Sequence, residues 1–350
     1  MNLTRSFLLA CLTALTLILL IPVRLSSQDV HFSQAGMTPL NLNPAQTGAQ
    51  YNLRAIINYK NQWGTVAAPY QTANYSFDAR VGKNKSKKGF SAFGLQVFSD
   101  KAGDAEMGLF QANLSYAYHV SLNEKSTLGA GFVGGFSQRS LKYAAFQWGN
   151  QYDGMDFNAS LPTGEPVGSD NISLADLGAG IHYEYGREQR YMTGNDQKSI
   201  SVGFSAFHLN QPKYSFYNTD ERLPIKMVGY ASALFGISNS QLSIEPSVYY
   251  FRQSTQSELL FGARFRYQMR EESKYTGYVK GSAISLGTYY RNKDAFITTF
   301  LFEISQYAIG VSYDLNVSDL KTASAGKGGI EFSIRFLSPN PFLSKSASSF

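Results

Sequence analysis

Three stretches of this chain follow a period-two alternation of apolar and polar residues over ten residues or more. In 109–120, Phe110, Ala112, Leu114, Tyr116, Tyr118 and Val120 fall on one face, and Gln111, Asn113, Ser115 and His119 on the other. In 174–185, Ala175, Leu177, Ala179, Ile181, Tyr183 and Tyr185 oppose Asp176, His182 and Glu184. In 259–269, Leu259, Phe261, Ala263, Phe265, Tyr267 and Met269 oppose Gly262, Arg264, Arg266 and Gln268. Period-two patterning marks strands, because successive side chains of an extended chain point to opposite faces. These runs exceed the five or six residues typical of a strand in a soluble sandwich. Their polar faces carry both charge and glycine. A sandwich hides its apolar face between two sheets, whereas a membrane barrel turns it to lipid and keeps polar groups in the lumen.

Composition supports the barrel. Only 16% of residues are charged, against about 25% in an ordinary soluble domain. Beyond the first segment, no apolar run approaches the roughly 18 residues that a membrane helix needs. The pattern predicts an all-β, transmembrane antiparallel barrel of about fourteen strands with an irregular N-terminal segment. The strands fall near 53–61, 70–82, 89–99, 108–120, 127–138, 174–186, 198–208, 224–236, 241–252, 257–269, 279–291, 295–304, 306–316 and 328–336. An even count puts both barrel termini on the periplasmic side. The connections 139–173, 209–223 and 317–327 are then extracellular, and 83–88, 121–126, 187–197, 237–240 and the turn at Ser305 periplasmic. Tyr116–Tyr118, Tyr183–Tyr185, Tyr249–Tyr250 and Tyr289–Tyr290 are placed to form interfacial girdles.

The chain divides into a leader over 1–27, an N-terminal segment over 28–52 that either leads into the barrel or plugs it, the barrel over 53–337 and a periplasmic tail over 338–350. In the leader, Arg5 precedes the apolar run from Phe7 to Pro22, and Ser26–Ser27 offers small residues for cleavage before Gln28. That is the layout of a secretory signal peptide. Leu8–Leu9–Ala10–Cys11 is the competing reading, a lipoprotein box, but Cys11 stands near the start of the apolar run rather than at its end. Past the leader there is no cysteine, so disulfides and thiolate metal sites are excluded. Loss of Arg5 and Arg24 lowers the formal charge from +6 to +4. The one basic cluster is Lys83, Lys85, Lys87 and Lys88, read as a solvated turn, so no nucleic-acid partner is expected.

The N-terminal text Gln28–Asp29–Val30–His31–Phe32–Ser33–Gln34, then Asn43–Pro44–Ala45–Gln46–Thr47–Gly48, then Tyr59–Lys60–Asn61–Gln62–Trp63, resembles the opening of the PorP/SprF family. Leu114–Ser115–Tyr116–Ala117–Tyr118–His119–Val120 and Leu128–Gly129–Ala130–Gly131 are similar to that family as well. Gln46–Thr47 departs from the small or aromatic pair expected after Asn-Pro-Ala. The resemblance implies an integral outer-membrane protein of the Bacteroidota type IX secretion system. It would help export an adhesin with a type B C-terminal sorting domain, of the kind used in gliding motility, and hold it at the cell surface. Implied partners are that adhesin, the periplasmic type IX machinery or a peptidoglycan-binding lipoprotein, and outer-membrane lipid. The N-terminal motif residues implied are Gln28, Phe32, Ser33, Gln34, Asn43, Pro44, Gly48, Asn61, Gln62 and Trp63.

The residues themselves leave other readings. His119 with Asp176 or Glu184 forms a hydrolase relay only if the barrel gathers them beside a nucleophile, and no Gly-x-Ser-x-Gly elbow occurs. No enzyme activity and no cofactor are therefore expected. Asp153, Asp156, Asn158 and Asp170 suit calcium in oxygen content but lack the spacing and closing Glu of a twelve-residue loop, so a solvated loop is favoured and no metal assigned. Phe146, Trp148, Tyr152 and Phe157, with Asp153 and Asp156, form either a partner-binding patch, since interface hot spots favour Trp and Tyr, or an inward-folded lid. A channel for small hydrophobic or polar solutes is the rival function, with 28–52 as its plug.

Overall fold

The computed structural model describes residues 29–64, 69–81, 89–103, 106–166, 168–187, 195, 197–217, 219–271, 280–318, 321–324 and 326–338. Residues 1–28, with Cys11 and Gln28 among them, the Lys83–Lys88 cluster and the residues beyond Ser338 lie outside the described residues. The strands are β1 (Leu53–Gln62), β2 (Tyr70–Val81), β3 (Gly89–Ala102), β4 (Met107–Asn123), β5 (Ser126–Ser140), β6 (Asn171–Arg187) and β7 (Lys198–Phe207). They continue with β8 (Lys226–Gly236), β9 (Leu242–Gln253), β10 (Gln256–Arg270), β11 (Ser282–Arg291), β12 (Ala295–Ile304), β13 (Tyr307–Asn316) and β14 (Lys327–Ser338). Each pairs antiparallel with its neighbour in sequence. β14 closes on β1 from Leu53 opposite Ser338 to Gln62 opposite Gly329.

The closed fourteen-strand barrel agrees with the alternation. β4 and β6 outrun it, each reaching 17 residues. They flank β5; β6 lengthens mainly at its start, beside the 141–170 connection, and β4 mainly at its end, in the turn to β5. Among the described residues no helix is long and apolar enough to cross a membrane.

The faces are inverted relative to a soluble protein. Leu114 is 68% exposed and Phe132 64%, both on the outer surface, while Lys60, His119, Arg291 and Glu331 point inward and are almost completely buried. Only a lipid solvent accounts for that arrangement, and closure leaves no open edge in it. The girdle expectation needs one correction. Adjacent residues of a strand face opposite ways, so Tyr250 and Tyr290 face outward while Tyr249 and Tyr289 turn into the lumen and join an inner apolar cluster.

That cluster explains the inner-face positions that break the polar pattern. Val228, Tyr230, Tyr249, Leu260 and Ile297 line one wall and receive Ala35 and Leu42 from the N-terminal segment. Leu301 and Ala308 receive Met37. Residues 29–52 are thus packed inside the barrel as a strap. It contains two 3-10 turns, Ala35–Met37 and Pro44–Gln46, and the short helix α1 (Pro39–Leu42).

Inner-face glycines mark its path. A Cβ on Gly131 would stand 2.5 Å from the Ala45 nitrogen, and one on Gly180 2.1 Å from the Asn43 Oδ1. The inner glycines therefore make room for a second piece of backbone. Gly131→Val should push the strap off the β5 wall, at a cost of about 1–3 kcal/mol typical of overpacking. Limited proteolysis of the folded barrel is the check: cleavage within 29–52 should accelerate while the strands stay protected.

Candidate functional site

The site is the strap and the wall that holds it. One end of the barrel carries the long connections 141–170 and 208–225, here the loop end. The opposite end carries the start of β1 and the end of β14, here the turn end. The strap begins at the loop end and descends. Its sequence is almost free of charge, with Asp29 and His31 as its ionisable side chains apart from Tyr51. The barrel supplies the partners its irregular backbone lacks.

At the loop end, the Asp29 carboxylate meets His208 Nε2 at 2.7 Å and the Lys226 ammonium at 3.4 Å, and accepts from Gln253 Nε2 at 3.3 Å. The Asp29 N–H donates back to Gln253 Oε1 at 2.9 Å. His208 also meets Asp176 at 2.9 Å through Nδ1. Asp176 stands near the start of β6 and His208 directly follows β7, so one imidazole ties the bases of both long loops to the strap. Burial disfavours a charged His208, yet its hydrogen bonds to the two carboxylates prevail and raise it to about 9.

Lower down, the Ser33 N–H donates to Glu331 Oε2 at 2.7 Å and its hydroxyl to Asp314 Oδ2 at 2.6 Å. Gln34 donates to the Glu331 carbonyl at 3.1 Å and accepts from Ser333 at 2.8 Å. The Lys60 ammonium donates to the His31 carbonyl at 3.2 Å, and Arg291 bridges His31 and Asp314. Phe32 packs edge-on against Phe98, their centroids 6.1 Å apart. Midway, Asn43 accepts from the Ala45 N–H at 2.8 Å and so caps the turn that Pro44 opens, while its amide donates to the Ile181 carbonyl at 2.7 Å.

At the turn end, His119 Nε2 bonds the Thr47 carbonyl at 2.8 Å, and the Gly48 N–H donates to Asp78 Oδ2 at 2.7 Å. Arg80 donates to the carbonyls of Gly48 and Ala49 at 2.7 and 2.8 Å. Arg54 joins Asp78 at 2.8 Å and the Gln46 carbonyl at 2.9 Å. Gly48 has φ +64°, and a Cβ there would lie 2.4 Å from that of Ala92, so only glycine fits the bend. Back at the loop end, where β1 finishes, Asn61 and Gln62 stand opposite Ile330 and Gly329, and the Trp63 N–H donates to the Gly328 carbonyl at 3.0 Å with its ring edge-on to Tyr70.

The three groups of the hydrolase reading are dispersed. His119 holds the strap, Asp176 pairs with His208, and Glu184 takes His182 at 3.2 Å. In the long loop, Asp153 Oδ1 accepts the N–H groups of Met155 and Asp156, each at 3.0 Å. That carboxylate forms a turn, and among the described residues no group of three or more His, Cys, Asp or Glu is placed to hold a metal ion. Tyr152 and Phe157 bridge to make a small hairpin, with rings 5.7 Å apart and Met155 at its tip 92% exposed. Phe146 lies 5.3 Å from Trp148. The Ser169 N–H donates to the Phe216 carbonyl at 2.9 Å, joining this loop to 208–225. None of the described contacts of 143–157 reaches an inward-facing strand side chain. Sequence reasoning missed Lys60, Asp78, Arg80, His208, Arg291, Asp314 and Glu331, whose legible signal was charge on inward-facing positions deep in strands or at their ends.

The class is therefore a membrane β-barrel whose lumen is occupied by its own N-terminal strap. A family-wide sequence pattern, that of the type IX secretion system membrane protein PorP/SprF, matches residues 25–336, and the chain belongs to that family. The family is that of a type IX secretion system membrane protein of the outer membrane, and the fold is a closed antiparallel barrel. No match was found among curated proteins. Among solved structures the chain is similar to CdiB from Acinetobacter baumannii, at 9% identity and a TM-score of 0.39 over 81% of this chain and 60% of that one. It is similar to a deletion mutant of the TodX monoaromatic hydrocarbon channel, at 10% and 0.46 over 86% and 94%. It is also similar to a Pseudomonas aeruginosa FadL homologue, at 10% and 0.42 over 84% and 91%.

The His208 latch has a pH signature. A histidine raised in the folded state stabilises fully below its unfolded value of about 6.5, and that stabilisation is lost as pH rises through about 9. Cys11 is the one cysteine of the sequence, so Val30→Cys in a Cys11→Ser background can carry a single spin label. Label mobility should increase with a midpoint near pH 9. In the Asp29→Asn background that midpoint should move down toward the ordinary histidine range.

Proposed function

We propose that this barrel serves type IX secretion as a capture and anchoring platform for a secreted adhesin's type B C-terminal sorting domain. The observation that carries this reading is the filled lumen. A strap held along its whole length, with Glu331, Asp78, Arg80 and His119 bonded to its backbone, suits a rigid support better than a conduit. With the barrel termini periplasmic, as is general for bacterial single-chain barrels, the 141–170 and 208–225 loops stand at the cell surface. Phe146, Trp148, Tyr152, Asp153, Asp156 and Phe157 then form the gripping surface. Non-covalent contact does the anchoring, with no enzyme step and no cofactor. The turn end meets the periplasmic machinery or a peptidoglycan-binding lipoprotein.

The strap's direction supports removal of residues 1–27 as a signal peptide. Asp29 is held at the loop end, so an uncleaved apolar leader would emerge at the surface rather than remain in the periplasm. A solute channel would require the strap to leave the lumen.

Two measurements test the reading. Affinity purification from mildly solubilised outer membrane should recover a large surface protein, and Trp148→Ala with Tyr152→Ala should reduce its recovery at least tenfold, as expected for two hot-spot aromatics worth about 2 kcal/mol each. A barrel that purifies alone with its substrate co-expressed, or capture untouched by the double substitution, counts against it. In planar bilayers the intact barrel should conduct little, and deletion of 29–50 should raise conductance; steady large conductance from the intact chain would favour the channel.

A further inference from the structure

The buried carboxylates that face the lumen are answered one by one. Arg54 takes Asp78, Arg291 takes Asp314, and Arg266 and Arg335 share Glu303. Asp100 accepts from the Thr72 hydroxyl at 2.6 Å, and Glu331 from the Ser33 N–H at 2.7 Å. Glu258, the third residue of β10 and only 9% exposed, is the exception. Among the described residues no lysine or arginine stands within ion-pairing distance of it, and its one side-chain partner is His31 Nδ1 at 3.2 Å. That imidazole brings no charge. The Arg291 guanidinium can only donate, so His31 Nε2 accepts from it and the ring's single N–H hydrogen sits on Nδ1, toward Glu258. One N–H thus serves a carboxylate able to accept about four hydrogen bonds.

Glu258 lines a cavity of about 30 Å³ between the strap and the loop-end residues of β8, β9 and β10. Val30, Phe32 and Leu42 of the strap and Phe251 of β9 give it apolar walls. Two cations also border it, but Lys226 stands 3.4 Å from Asp29 and Arg252 lies on the exposed side of β9. The cavity opens at the loop end, where Asp29 begins the strap and Gln253 finishes β9. Its volume has room for about two or three water-sized groups, which excludes a lipid tail or a sugar ring. It admits an ammonium and the methylene behind it, with the rest of a short stem in the mouth. A buried carboxylate without a counter-charge is costly. An entering cation removes that cost, and an entering anion adds to it.

We propose that this cavity binds a primary ammonium on a short aliphatic stem, with Glu258 as its counter-ion and Phe32, Leu42 and Phe251 against the stem. The ligand enters from the loop end and requires no movement of the strap. The site does not depend on the anchoring reading. A free alkylamine and the side chain of a lysine in a polypeptide share this chemistry and are its two sources.

The test uses the full-length barrel in uncharged phosphatidylcholine nanodiscs, with saturation-transfer NMR reading the binding of n-butylamine, n-butanol and pentanoate, which share a butyl stem. The protonated amine should bind most tightly and pentanoate least. Glu258→Gln keeps the size of the side chain and should weaken the amine roughly tenfold while leaving butanol unchanged, as for loss of a hydrogen bond to a charged group. Lys226→Gln changes another lining residue and should not weaken the amine, a split that general disturbance of the loop end does not produce. Displacement of butylamine by a lysine blocked at both its amino and carboxyl ends assigns a polypeptide side chain; failure of that displacement, with butylamine still bound, assigns a free amine. Equal binding of the butyl probes, or amine binding indifferent to Glu258→Gln, overturns the proposal and leaves a hydrated cavity.

Discussion

An irregular backbone at membrane depth must find a partner for every N–H and C=O, and the rest of this structure depends on how that demand is met. The strands satisfy one another through closure. The strap cannot, because 3-10 turns and a four-residue helix leave most of their polar groups free. The lumen wall answers with side chains aimed at the strap's backbone. Glu331 and Asp78 take N–H groups, while Lys60, Arg54, Arg80 and His119 take carbonyls. Many of these wall groups are also paired with one another. That spreads the cost of burying charge, since an ion left alone in such a place is far more expensive than one paired and hydrogen-bonded.

Two consequences connect packing to function. The wall and strap hold each other, because a wall this rich in buried charge needs the strap's polar backbone as much as the strap needs the wall. The loop end is also joined to that unit through one residue. His208 meets Asp29 of the strap and Asp176 at the base of the 141–170 loop, so a partner that displaces either loop works against the strap's outer anchor. This couples a surface contact to the interior through a continuous set of named bonds. A load applied to either loop would therefore pass to the closed sheet and the strap and not fall on the loops alone.

Much of the architecture was legible because lipid enforces a simple rule. Leu114, Tyr116 and Tyr118 must face out, Ser115 and His119 must face in, and a slip of one residue would exchange the two sets. Strand number and boundaries follow from that rule with turn residues between. The strap was legible only as the Asn-Pro-Ala-Gln-Thr-Gly text and a loop-rich composition. Its position inside the lumen was not, since Gly131 and Gly180 read in sequence as empty inner surface until the backbone of 43–45 is seen to fill it. Adjacent tyrosines misled for a related reason: Tyr249 and Tyr250 look like one girdle pair, but the pleat separates them.

By itself the sequence determined the class of solvent, the closed antiparallel sheet and the family, all of which depend on local periodicity and short motifs. Tertiary structure alone decided which inward charges meet, that His208 rather than His119 joins the two loops to the strap, and that residues 29–52 run from the loop end to the turn end. The physical reason is distance along the chain. Asp29 and Gln253 or Ser33 and Glu331 are separated by more than two hundred residues, and only closure of the barrel brings them within hydrogen-bonding reach.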